Sequence, residues 1–99
     1  MITEKNIDNL YRITSNFSYR DYMAVNSNNK TKHVKPYSLS DDTKEALNLL
    51  KIAQKPQQDI TQNEEEQIKA YLLKIKLVYP ELIEQTNGNY EQWKRVKIA

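Results

Sequence analysis

The sequence predicts an all-α fold of four to five helices, and three observations carry that expectation. Residues of the helix N-cap type recur along the chain, at Thr3, Ser18, Ser40, Thr61 and Asn89. Apolar residues between these caps recur at three- and four-residue spacing, the helical period. Glycine occurs once, at Gly88, and proline three times, which disfavours a fold of many short strands joined by tight turns.

The elements follow in order. Thr3 caps a first helix, with Ile2 and Ile7 placed to staple its start and Leu10 and Tyr11 continuing the spacing. Ser18 is a cap candidate for a short second helix, with Phe17 and Tyr22 as the staple pair and Asp21 at the third helical position, where a carboxylate meets the positive helix end. Phe17, Tyr19, Met23 and Val25 also alternate, so a strand over 17–25 competes with that helix. "NSNNKTKHVKPY" has no apolar period and predicts a mobile basic loop over about 26–37 within a single domain of 1–99.

Ser40 caps the next helix, with Asp41 and Asp42 in its first turn and Ala46, Leu47, Leu50 and Ala53 as its apolar stripe, and Pro56 stops it. "TQNE", Thr61 to Glu64, has the residue types and spacing of a capping box. It launches a long helix over about 62–79, expected to be central in the domain. Pro80 suits the first turn of a helix "PELIEQT", Gly88 its C-terminal cap, and Asn89 the start of a last helix bearing Tyr90, Trp93 and Val96.

The stretch "YLLKIKLVYP" within the long helix is apolar on two sides. With Ile68 at zero and about 100° per residue, Leu72, Ile75 and Tyr79 fall in one band with Ile68, widened by Tyr71 and Val78. Ala70, Leu73 and Leu77 fall opposite. Lys69 and Lys76 separate the faces on one side and Lys74 on the other. A helix of this kind either is flanked on both sides by its own domain or presents one face to a partner. The first arrangement is the expected one, and Leu73 and Leu77 are the interface candidates under the second.

Composition narrows the chemistry. The chain has no cysteine, which excludes a disulfide framework, a thiolate nucleophile and a cysteine zinc site. With one glycine it cannot form a glycine-rich phosphate loop. No apolar run reaches the length of a membrane span, and "MITEKNIDNLYR" lacks the apolar segment of a signal peptide, so a soluble cytoplasmic protein is expected. The lone histidine, His33, sits among lysines with no nucleophile or carboxylate near it in sequence. The acidic runs Asp41–Asp42 and Glu64–Glu66 are explained by their place in first helical turns. No catalytic, metal-binding or cofactor-binding residue is legible, and no enzymatic activity is expected.

Two segments have the composition of nucleic-acid contacts. Lys30, Lys32 and Lys35 lie in the basic loop with Tyr37 behind them. Residues 80–98 have helix-turn-helix proportions, with Gln92, Lys94, Arg95 and Lys97 on the second helix. Against this stand a short first helix, Glu84 at a close-approach position, Lys94 where an apolar residue is needed, and the acidic Glu81 and Glu91. A net charge of +2 makes no demand for nucleic acid.

The expectation is therefore a small, non-enzymatic interaction protein that binds a larger protein or nucleoprotein. Tyr19, Tyr22, Tyr37, Leu73 and Leu77 are its interface candidates, since tyrosines anchor interfaces. The alternatives are a nucleic-acid-binding protein using 80–98 and a structural homodimer. Usage rich in Lys, Asn and Ile fits an AT-rich genome and, with the small size, a phage or mobile-element protein. An inhibitor of a host nucleoprotein machine, of the anti-CRISPR kind, is one such class.

Overall fold

The computed structural model describes residues 1–27 and 39–84, with side chains from 24 to 27 left aside. Four helices follow one another: α1 (Glu4–Ser27), α2 (Asp41–Ala53), α3 (Gln62–Val78) and α4 (Glu81–Glu84), with a 3-10 turn (Gln57–Asp59) between α2 and α3. No strand occurs among the described residues, and the fold is all-α as the caps predict. Of the segment 26–37 expected to be a loop, residues 26–27 belong to α1. Residues 28–37 and the expected last helix from Asn89 lie outside the described residues.

Three of the expected caps, Thr3, Ser40 and Thr61, act as their residue types predict. Thr3 Oγ1 accepts from the Asn6 backbone N–H at 3.2 Å while Asn6 Oδ1 accepts from the Thr3 N–H at 2.9 Å, a reciprocal pair that starts α1. Ile2 ahead of it is buried and is held by Gln57, whose side chain accepts from the Ile2 N–H at 3.2 Å and donates to its carbonyl at 3.0 Å. Ser40 caps α2, with Asp41 and Asp42 in the first turn and Lys51 in the last. Thr61 and Glu64 complete the capping box of α3 at 3.1 and 3.0 Å. The hydrogen bond from the Thr61 backbone, followed by Lys55 at 3.1 Å, holds the Glu64 carboxyl below its ordinary range. Thr61→Ala should therefore lower stability by about 1 kcal/mol, read as a shift in the urea midpoint at unchanged slope. An unchanged midpoint would show that packing alone starts α3.

The expected break at Ser18 does not occur. One helix runs from Glu4 to Ser27, and Ser18 is buried in its middle at 1% exposure. The strand reading of 17–25 fails with it. The reason is a buried stripe that passes straight through: Leu10, Thr14, Phe17 and Asp21, at four-, three- and four-residue steps, all face inward. Two of its members are polar, which hid the stripe in the sequence. Thr14 satisfies its hydroxyl by donating to the Leu10 carbonyl at 2.7 Å. Tertiary burial here overrides a local capping signal.

Asp21 is the polar joint between α1 and α2. One carboxylate oxygen accepts from Thr43 Oγ1 at 2.6 Å and from the Ser40 backbone N–H at 2.9 Å. Arg20 adds ion pairs to Asp21 at 3.7 Å and to Asp42 at 3.3 Å, and its guanidinium lies 4.7 Å from the centre of the Phe17 ring. Burial alone would raise the Asp21 pKa, but the hydrogen bonds from Ser40 and Thr43, with the Arg20 charge, outweigh it and hold the carboxyl below its ordinary value. Asp21 thus serves the N-terminus of α2 and not that of a helix of its own.

The core sits where α1, α2 and α3 meet. Leu10, Ile13 and Phe17 of α1 pack with Ala46, Leu49, Leu50 and Ala53 of α2 and Ile68, Tyr71, Leu72 and Ile75 of α3. Leu47, expected in the α2 stripe, is half-buried, and Leu49 takes the fuller place in the core. The short α4 closes one end: Leu82 and Ile83 pack on the core, and Asn16 donates to the Leu82 carbonyl at 2.9 Å. Helix α3 touches each of the other helices, but through one side only. Among the described residues, no helix flanks its second side, where the sequence leads one to expect cover on both.

Candidate protein-docking face

The two sides of α3 have different fates. Ile68, Tyr71, Leu72 and Ile75 turn inward and are between 0% and 8% exposed. Leu73 and Leu77 turn outward and are 58% and 74% exposed, with Ala70 exposed between turns beside them. Tyr79, placed by the helical wheel within the inward band, and Val78, placed at its edge, are instead exposed, at 45% and 55%. The core ends at Ile75, the helix ends at Val78, and Tyr79 already has non-helical backbone as the C-cap. Nothing remains there for the last two side chains to pack on among the described residues.

Ala70, Leu73 and Leu77 follow steps of three and four, the spacing of a helix–helix seam. Lys69 and Lys76 flank the seam on the α1 side and Lys74 on the α2 side. Lys69 pairs with Glu65 one turn back at 3.4 Å. Lys5, Lys74 and Lys76 have no ion pair or hydrogen bond among the described residues. Glu66 lies at the N-terminal end of the seam and receives a hydrogen bond from Gln62 at 3.2 Å.

Beside the seam, α1, α3 and α4 enclose a groove of about 330 Å³. Its apolar part is made by Leu72, Leu73, Pro80 and Ile83, and its polar edge by Lys5, Asn6, Asn9, Lys76 and Glu84. Leu73 belongs to both features, so seam and groove form one continuous surface. The groove walls are anchored: Asn6 by the α1 cap, Ile83 by packing on the core, and α4 by the Asn16 bond. An apolar concavity with a few polar groups at its edge is a common form of binding site.

The other expected interface residues do not join this surface. Tyr19 is 39% exposed on α1 with Met23, at 43%, one turn further on, and Tyr22 is half-buried. The groove draws on residues 5–9 of α1, so Tyr19 lies roughly 15–20 Å away along the helix at its usual rise per residue. Tyr37, Lys30, Lys32, His33 and Lys35 lie outside the described residues, as do Gln92, Lys94, Arg95 and Lys97. Lys5, Asn9 and Ile83 were not expected at a site. Their meeting depends on how α4 folds back, and no local pattern announces it.

Burial first, then the charges of Glu45 and Asp42, push the Tyr71 phenol above its ordinary range, which keeps it neutral between α2 and α3. No group of three or more His, Asp or Glu residues that could hold a metal ion occurs among the described residues. None of their helices is long and apolar enough to cross a membrane. No family model, curated protein or solved structure matches the chain.

Proposed function

We propose that the chain is a non-enzymatic interaction protein that binds a larger protein through the outward face of α3 and the adjoining groove. The observation that supports this is the pair Leu73 and Leu77, two large apolar side chains more than half exposed on consecutive turns of a helix whose other side is buried through Ile68, Tyr71, Leu72 and Ile75. Exposed leucines occur singly on many surfaces, but here they line a seam that merges with an apolar groove. A module of this kind acts by occupying a partner's surface, and the partner decides whether the outcome is inhibition or recruitment. An inhibitor of a host nucleoprotein machine is one role within that reading.

The test is a paired co-purification from the source cells with the tagged chain and with Leu73→Asp/Leu77→Asp. The expected result is a protein recovered in near-stoichiometric amount with the wild type and at least about tenfold less with the variant, a loss of about 1.4 kcal/mol or more. Both side chains are exposed, so the variant should melt like the wild type. Equal recovery with the two chains would rule out this face as the docking site.

A further inference from the structure

The proposed docking face also specifies the chemistry of its occupant, and this inference rests on that reading. We infer that the partner element is an amphipathic helix with apolar residues on its seam and acidic residues flanking them. The seam spacing of Ala70, Leu73 and Leu77 fits a helix better than a strand or an extended peptide, because knobs at three- and four-residue steps mesh with the same steps on another helix. The flanks set the charge. In coiled-coil terms Ala70 and Leu77 take position a and Leu73 position d, which places Lys69 and Lys76 at g and Lys74 at e. Three of the side chains bordering the apolar seam are therefore lysines, and Lys74 and Lys76 have no acidic partner among the described residues. Lys5 adds a further unpaired cation across the groove from Lys76.

The same pattern disfavours a second copy of this chain as the occupant. With the leucines in register, parallel pairing sets Lys69 against Lys74 of the second copy. Antiparallel pairing sets Lys76 against Lys76, and Lys74 against Lys74, of the second copy. Like charges at these positions select against self-pairing, and acidic residues there on a different helix select for that partner. The acid stretch on the partner is bounded, because Glu66 ends the seam and Glu84 ends the groove. A basic residue on the partner facing Glu66 would fix the direction in which its helix lies.

The test uses a yeast-displayed library of single helices with Leu, Ile, Val or Ala on the seam and Glu, Gln or Lys at each flanking position. Clones are sorted on the full-length chain and then counter-screened on Leu73→Asp. Among clones that need Leu73, Glu should be enriched over Lys about tenfold, three exposed pairs each giving a factor of about two. The bias should shrink in 1 M salt, where the screening length is about 3 Å. Lys74→Glu/Lys76→Glu should reverse it toward Lys. Clones that need Leu73 but show no charge bias would overturn the acidic partner while leaving the docking face intact. No clone that needs Leu73 would overturn the docking face itself. Two further results would overturn the proposal in favour of another occupant: a dimer at micromolar concentration that Leu77→Glu splits, and salt-sensitive binding of mixed-sequence DNA lost in Lys74→Glu/Lys76→Glu.

Discussion

Ile68→Ala should destabilise the fold by about 2–5 kcal/mol, while Leu73→Ala should change it by no more than about 0.5 kcal/mol. The two residues share α3 and are both branched aliphatics of the same size. They differ in surroundings: Ile68 is 0% exposed within the core, and Leu73 is 58% exposed. Removing the Ile68 side chain forfeits its burial and leaves a void among Leu10, Leu50 and other fully buried neighbours of the core. Removing that of Leu73 returns a surface group to solvent, with a small gain in helix propensity as partial offset. At about 4–8 °C per kcal/mol for a chain of this size, the first variant should melt more than about 8 °C lower than the wild type. Thermal melts of the two proteins check this directly. A comparable loss in Leu73→Ala would show that the outward face is covered in solution by this chain or by a second copy, and the docking proposal would fall.

Asp21→Ala should be the most damaging change at a polar position, at about 2–4 kcal/mol. It removes the acceptor for Thr43 Oγ1 and for the Ser40 N–H, and Thr43 is itself 0% exposed. Thr43 Oγ1 then keeps only the Ser40 hydroxyl, 3.1 Å away, as a partner, and the Ser40 N–H loses its acceptor and carries the desolvation cost of an unmade bond. The change also leaves Arg20 without one of its two carboxylates. The acid response follows from the same bonds. The folded-state pKa of Asp21 is depressed, so its contribution is fully present above the ordinary carboxylate pKa, about 4, and is lost as the pH falls through the lower folded value. Urea midpoints from pH 7 to pH 2 should fall in the wild type below about pH 4, and fall less steeply in Asp21→Asn. Equal acid slopes in the two proteins would mean that Asp21 is not the carboxylate responsible.

Much of the architecture was legible because helix starts are local events. Thr3, Ser40 and Thr61 each bond to a backbone group three residues on, and the Thr61–Glu64 box closes within one turn. The start of α3 at Gln62 and the end of α2 before Pro56 could therefore be placed from residue types alone. Ser18 misled for the same reason. It has the right chemistry for a cap, and only the burial of Phe17 and Asp21 on either side of it shows that the helix continues. Of the site, the two-faced character of α3 was legible, as were Leu73, Leu77 and the lysines that separate the faces. The groove was not, since it brings Lys5 and Asn9 beside Ile83 from opposite ends of the chain.

Sequence alone determined the helical class, the caps at Thr3, Ser40 and Thr61 and the presence of two apolar faces on α3, because each depends on residues within one or two turns of one another. Which face is covered was decided only by the tertiary structure. Burial depends on α1 and α2 arriving from far along the chain, and they pack against Ile68, Leu72 and Ile75 while leaving Leu73 and Leu77 outside. The role of Asp21 was decided in the same way: its partners Ser40 and Thr43 belong to another helix, and the hydrogen bonds that give it its place exist only once the two helices meet.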